Sequence, residues 1–354
     1  MTHEPFRWSV VLTRLLHGED LDEDLAAEVM GTLMRGEAEP AQVSALLIAL
    51  RAKGEAPSEV AGFVRAMLAE AEPIDLDQHV VDQLVDTCGT GGDGANTFNI
   101  STVAAVVTAA AGQPVAKHGN RAASGVCGSA DLLEAWGVAI DLPPLAVAAC
   151  VRELGIGFLY ARSFHPAMRH VAPVRAQLGI RTAFNVLGPL SNPAGAPHQV
   201  VGVSDARLAP VMAEALGRLG KHHALVFRGD DGLDELTTTG PSHVWEVRDG
   251  HVEQWVLEPA DHGIDRAELA DLRGGEVAEN VAIADAVLAG EPGAPTDIVV
   301  LNAAAALYAA DAVPDLARGI ATARETLASG AARDLRDRWV QRSKELALEP
   351  RRHG

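Results

Sequence analysis

The chain has 354 residues, 48% of them hydrophobic, which is enough for one large domain and a smaller companion around a sizeable core. A formal net charge of -19 opposes a polyanion-binding surface, because nonspecific nucleic-acid affinity comes from clustered Lys and Arg, so any phosphate site must be local. Cys88, Cys127 and Cys150 show neither a disulfide framework nor zinc spacing, MTHEPFRWSV is no signal segment, and no apolar run nears the ~20 residues of a membrane span, so the expectation is a soluble protein of the reducing cytoplasm.

Residues 1–73 predict a small helical domain. Apolar positions Val11, Leu12, Leu15 and Leu16, then Leu25, Val29 and Leu33, then Val43, Leu46, Leu47 and Leu50, then Val60, Val64, Met67 and Leu68 recur at helical spacing. Gly18, Gly36 and Gly54 punctuate them as helix stops. Residues 74–354 predict an α/β domain with a mostly parallel central sheet and helices on its faces, because short β-branched runs alternate with Ala-rich helical stretches. The strands are read at Val80–Val85, Pro114–Ala116, Val138–Ile140, Gly157–Tyr160, Val200–Val203 and Ala224–Phe227. The helices are read at Thr102–Ala111, Ala130–Trp136, Val147–Leu154 and Met212–Leu219. His243–Leu257 is two alternating runs joined at Asp249-Gly250, the signature of an antiparallel hairpin, and the chain returns to helix at Val299–Ala309 and Asp334–Leu346.

Three segments carry chemistry. CGTGGDGANTFNIST, Cys88–Thr102, follows a strand and opens a helix. In an open α/β sheet ligands gather at such places; glycines bring backbone N–H groups close to an anion, and the helix start adds partial positive charge. A solitary glycine-rich loop specifies only a turn, and this one fits neither GxGxxG with a later acid nor GxxxxGK[ST]. Its first companion is KHGNRAASG, Lys117–Gly125, where Lys117 offers a point charge to phosphate while His118 and Asn120 offer polar contacts to a sugar or second substrate. The second is RGDDGLDELTTTG, Arg228–Gly240, with Asp230, Asp231, Asp234 and Glu235 close together on a Gly-containing loop suited to Mg²⁺. Together they describe a site for a magnesium-bound diphosphate.

With these motifs the chain resembles the anthranilate phosphoribosyltransferases, which couple anthranilate to phosphoribosyl pyrophosphate (PRPP). The likeness rests on GTGGDG at Gly89–Gly94, NIST at Asn99–Thr102, KHGN at Lys117–Asn120, GSAD at Gly128–Asp131, HPAM at His165–Met168, PVRAQLGIRT at Pro173–Thr182, FNVLGPLSNP at Phe184–Pro193 and DGLDE at Asp231–Glu235. The resemblance implies a homodimer formed through the helical domain, with residues 165–182 joining that domain in space. It assigns Gly89, Thr90, Gly91, Gly92, Asp93, Thr97, Asn99, Ser101, Thr102, Lys117 and Ser129 to PRPP. It assigns Ser101, Asp234 and Glu235 to Mg²⁺, with two ions per site, and Gly89, His118, Asn120, His165, Arg175 and Gly188 to anthranilate. His118 is the candidate for a base, and no nucleic acid or membrane is expected as a partner.

Three positions depart from the family pattern. Val126 and Cys127 stand where many members have Lys-Ser, and Arg162 where many have the proline of an Ala-Pro pair. They bear on the ribose pocket and the aromatic-acid channel. Two other classes share the architecture: a pyrimidine nucleoside phosphorylase, which has no need of DGLDE, and a noncatalytic nucleic-acid-binding relative, which the net charge opposes.

Overall fold

A computed structural model of the chain describes residues 6–122 and 126–349. The last three residues of the Lys117–Gly125 segment lie outside them. The helical domain is α1 (Trp8–Leu16), α2 (Glu23–Met34), α3 (Pro40–Lys53) and α4 (Pro57–Ala69). Asp22 caps α2 by accepting from the Leu25 amide at 2.9 Å, while Pro40 and Pro57 open α3 and α4 at the position where a missing N–H costs nothing. Gly18, Gly36 and Gly54 follow the helices with positive φ, as helix stops should.

The remainder runs α5 (Gln78–Val81), β1 (Val85–Gly89), α6 (Ile100–Ala110), β2 (Val115–Gly119), α7 (Ser129–Trp136), α8 (Pro144–Leu154), β3 (Ile156–Tyr160) and α9 (Ala161–Phe164). It continues through α10 (Ala172–Leu178), α11 (Phe184–Leu190), β4 (His198–Gly202), α12 (Leu208–Arg218) and β5 (His223–Gly229). The last part is the β6 (Ser242–Arg248) and β7 (His251–Leu257) hairpin, then α13 (Val277–Leu288), α14 (Ala294–Ala309), α15 (Leu316–Ala328) and α16 (Ala331–Leu348). The seven strands lie in the order β3-β2-β1-β4-β5-β6-β7, the first five parallel and the last two antiparallel. At the expected hairpin turn Asp249 and Gly250 both have positive φ, 48° and 82°, which matches the twist of the flanking strands.

Strand order reverses between β1 and β4, so the crevice beyond their carboxyl ends is the place where an α/β sheet takes a ligand. Alternation along the strands divides the interior. Val200, Leu225 and Phe227 join one core with α6 and α14, while Val201, Ala224 and Val226 join the other. That second core runs without a break through Met212 and Leu216 of α12 into Leu46, Phe63 and Met67 of the helical domain. It also takes in Ala167, Val171 and Val174 from the segment around α10.

Two strand readings are corrected. Val80–Val85 is not a strand: Gln78–Val81 is a helical turn begun at Asp77, and pairing starts only at Val85, where the chain enters the sheet between β2 and β4. Val138–Ile140 is buried connection. The Val138 amide closes the end of α7 on the Leu133 carbonyl and the Ala139 amide donates to Ser343 Oγ of α16 at 3.0 Å, so these two donors are spent outside the sheet. Helices α10, α11, α13 and α15 were not read from the sequence.

Candidate active site at the switch point

Gly89 and Gly202 end the two strands at the reversal, and both are bare for a reason of space. A Cβ on Gly202 would overlap the Asp234 carbonyl oxygen, and one on Gly89 would overlap Asp234 Oδ2. The acidic loop after β5 therefore lies directly over both strand ends. Asp234 Oδ2 accepts from the Gly91 amide at 2.6 Å and Glu235 Oε1 from the Ser101 amide at 3.1 Å, which ties that loop to the glycine loop and to the start of α6.

These elements wall a cleft of about 570 Å³. All eleven residues the resemblance assigns to PRPP line it, as do His118, Asn120, Asp234 and Glu235. Lys117 is buried, and its Nζ donates to the Thr87 carbonyl and lies 3.4 Å from both Thr87 Oγ1 and Ser101 Oγ. Burial lowers its pKa, an effect opposed by the Asp86 and Glu235 carboxylates. Cys127 occupies the position of a departure from the family pattern: its thiol lies 3.3 Å from Asn99 Oδ1 and its carbonyl accepts from Asn99 Nδ2 at 2.9 Å, fixing that side chain in the cleft wall.

Three predicted residues lie outside the cleft lining. His165 packs ring to ring against His118 at 5.1 Å, with its Nε2 held at 2.9 Å from the Ser191 carbonyl. Gly188, in α11, sets its carbonyl beside the His118 ring. Arg175 is half-buried with its guanidinium 5.0 Å over the Phe184 ring, and it has no acidic partner among the described residues. Neither Arg162 nor the exposed Val126 is among the residues that line the cleft.

The electrostatics suit a cation. Burial, with Asp93 close by, pushes the Asp234 carboxyl up to about 7, and burial with Asp234 adjacent pushes Glu235 well above the carboxylate range. Carboxylates so crowded ionise fully only against positive charge. Yet no three His, Cys, Asp or Glu side chains among the described residues form a closed metal cage. The donor set of Ser101, Asp234 and Glu235 therefore fits an ion that completes its shell with water and substrate oxygens, as Mg²⁺ does.

Residues 81–333 match the glycosyl transferase family a/b domain, and residues 9–71 match that family's helical bundle domain. The anthranilate phosphoribosyltransferase of Roseiflexus sp. strain RS-1 is 55% identical over 330 residues, covering 93% of this chain and 95% of the relative. The chain belongs to the anthranilate phosphoribosyltransferase family. A family member from Thermus thermophilus superposes with a TM-score of 0.88 at 50% identity, over 94% of this chain and 99% of its own. The family's Saccharomyces cerevisiae member, solved with PRPP and Mg, superposes with a TM-score of 0.87 at 27% identity, over 96% and 98%.

Asp86 and Thr87 were not among the residues read from the sequence. Asp86 is fully buried in β1, accepting from the His118 amide at 3.0 Å and from Gln199 Nε2 at 3.2 Å, while Thr87 holds Lys117. The available signal was an acid and a hydroxyl side by side in an otherwise apolar strand, VDTCG, where polar groups need a purpose.

The two histidines give a pH prediction. Burial pushes both His118 and His165 down to about 4, so each is neutral at physiological pH. Unfolded chain takes up protons there near pH 6.5 and folded chain only near 4, so their contribution to stability is lost as pH falls across that window. The raised carboxylates act in the opposite sense, so the difference between proteins is the test. His118→Asn should lose up to about 3 kcal/mol less stability than wild type between pH 6.5 and 4. Identical pH slopes in chemical denaturation of the two proteins would show that His118 is not held neutral by burial.

Proposed function

We propose that the chain transfers the 5-phosphoribosyl group of PRPP to the amine of anthranilate, giving N-(5-phosphoribosyl)anthranilate and diphosphate, the second step of tryptophan biosynthesis from chorismate. The observation that carries this reading is the meeting of the GTGGDG loop, Lys117 and the Asp234-Glu235 pair in one cleft at the strand-order reversal. The Roseiflexus relative of that name and the yeast neighbour bound to PRPP and Mg support it.

Displacement at the anomeric carbon passes through an oxocarbenium-like state, and the heaviest demand is the charge gathering on the departing diphosphate. Magnesium bound with PRPP, two ions in our reading, neutralises that charge. Asp234, Glu235 and Ser101 would hold the cation, and the buried Lys117 amine, 3.4 Å from Ser101 Oγ, would add positive charge beside them. The glycine-loop amides and the start of α6 face the same phosphates. The anthranilate amine is a weak base that needs orientation more than deprotonation, so His118 and Asn120 at the cleft wall position the acceptor. His118, neutral and with Nε2 free of any partner among the described residues, is also able to take the proton shed after attack.

Mixing the protein with PRPP, Mg²⁺ and anthranilate should consume anthranilate fluorescence. Phosphate-dependent nucleoside cleavage with no change in anthranilate would favour the phosphorylase reading instead. Arg175 is proposed to pair with the anthranilate carboxylate, leaving the Phe184 ring when the acceptor binds. Arg175→Ala should raise the anthranilate KM by roughly tenfold with the PRPP KM nearly unchanged. Equal losses for both substrates would make Arg175 structural.

We also propose a twofold dimer through the helical domain, where Val10 and Leu16 of α1 and Ile48 of α3 are 42%, 74% and 43% exposed. Sedimentation as a monomer at micromolar concentration would refute it. None of the described helices is long and apolar enough to cross a membrane.

A further inference from the structure

We propose that Arg181 is a positioning residue for the donor loop, fixing which way the two peptides that flank Gly91 face. The proposal rests on the reading of that loop as the diphosphate site. Gly91 and Gly92 are exposed and left-handed, with φ of 63° and 73°, and a run of such residues reorients its peptide planes at little cost. The half-buried Arg181 spans both planes: Nη1 donates to the Gly91 carbonyl at 2.8 Å and Nη2 to the Thr90 carbonyl at 3.3 Å. Ser204 Oγ adds a second donor to the Gly91 carbonyl at 2.9 Å.

In a trans peptide C=O and N–H point in opposite directions, so holding those carbonyls on the Arg181 side turns the amides of Gly91 and Gly92 the other way. The Gly91 amide accordingly meets Asp234 Oδ2 at 2.6 Å, and the Gly92 amide has no hydrogen-bond partner among the described residues. A reversed peptide would present a carbonyl oxygen to a diphosphate, replacing attraction with repulsion. Only glycine at position 92 admits the clamp, because a Cβ there would overlap Arg181 Nη1. Arg181 also stands between the donor cleft and a second cavity of about 420 Å³ bounded by Arg51, Glu55, Asp205 and Arg228, so small solutes can reach the guanidinium from that side.

Arg181 sits in the connection between α10 and α11, the stretch that carries Arg175 and Gly188, yet among the described residues its side-chain hydrogen bonds go to the donor loop. A donor-side effect is therefore expected from an acceptor-side segment. Arg181→Ala should raise the PRPP KM roughly tenfold or more while the anthranilate KM stays within about twofold and Tm within about 2 °C. Arg181→Lys, which reaches one carbonyl at a time, should fall between wild type and Ala, and millimolar guanidinium should restore part of the Ala variant's PRPP affinity. An unchanged PRPP KM, equal rises for both substrates, or a fall in Tm that accounts for the loss would overturn the proposal. Calorimetry with PRPP and Mg²⁺ separates it from the reading beneath it. If wild type binds and Arg181→Ala binds equally well, the clamp alone is wrong; if wild type fails to bind, the donor-site reading falls and the clamp with it.

Discussion

Replacing Asp234 and Glu235 together by Asn and Gln should lower kcat/KM by at least about 1000-fold at saturating Mg²⁺ while Tm holds or rises. The two halves of that expectation come from one fact. Burial raises both carboxyl pKa values, with Asp93 adding to it at Asp234 and Asp234 at Glu235, so without a cation the cluster is a source of repulsion, which neutral isosteres relieve. The amide side chains keep an oxygen for the Gly91 and Ser101 amides, so the loop retains its ties. What they lose is the charge proposed to hold a divalent ion against the leaving group. Near-normal turnover in the double variant would refute the metal assignment, and a large drop in Tm would show that the pair is structural.

Lys117→Met should reduce kcat about 100-fold, an effect on the departing diphosphate rather than on anthranilate. Methionine approximates the buried stem and leaves the β2 backbone undisturbed, so the loss measures the ammonium group. Here the fold does suffer. Removing the cation leaves the Asp86 carboxylate and the Thr87 carbonyl buried without it, and Tm should fall by several degrees. Assaying the variant well below its own Tm separates the two effects. Full activity there would mean that Lys117 serves the buried network and not the substrate.

The sequence was most legible where chemistry is local. GTGGDG, KHGN and DGLDE were each picked out from consecutive residues, and the sheet brings residues of all three to one cleft. The hairpin was equally plain, because Asp249-Gly250 specifies its own turn. Legibility failed where a role depends on a partner remote in the chain. Val138–Ile140 has the composition of a strand, but its first amide closes α7 and its second is taken by Ser343, 204 residues beyond Ala139. Arg181 likewise reads as one more cation after a helix until Gly91 is found beside it. Arg175 shows a different limit: its motif identifies the family, while in this structure its guanidinium rests on Phe184 rather than facing the cleft.

The unbroken core between the helical domain and one face of the sheet has a consequence for synthesis. Phe63 and Met67 will have left the ribosome long before Met212 and Leu216 exist to cover them. Roughly 140 residues separate the end of α4 from the start of α12, so at ~5–20 residues per second the nascent bundle carries an open apolar face for on the order of ten seconds. The amino-terminal helices thus expose apolar surface of the kind chaperones bind, and a ribosome stalled before α12 is made would present that face for capture.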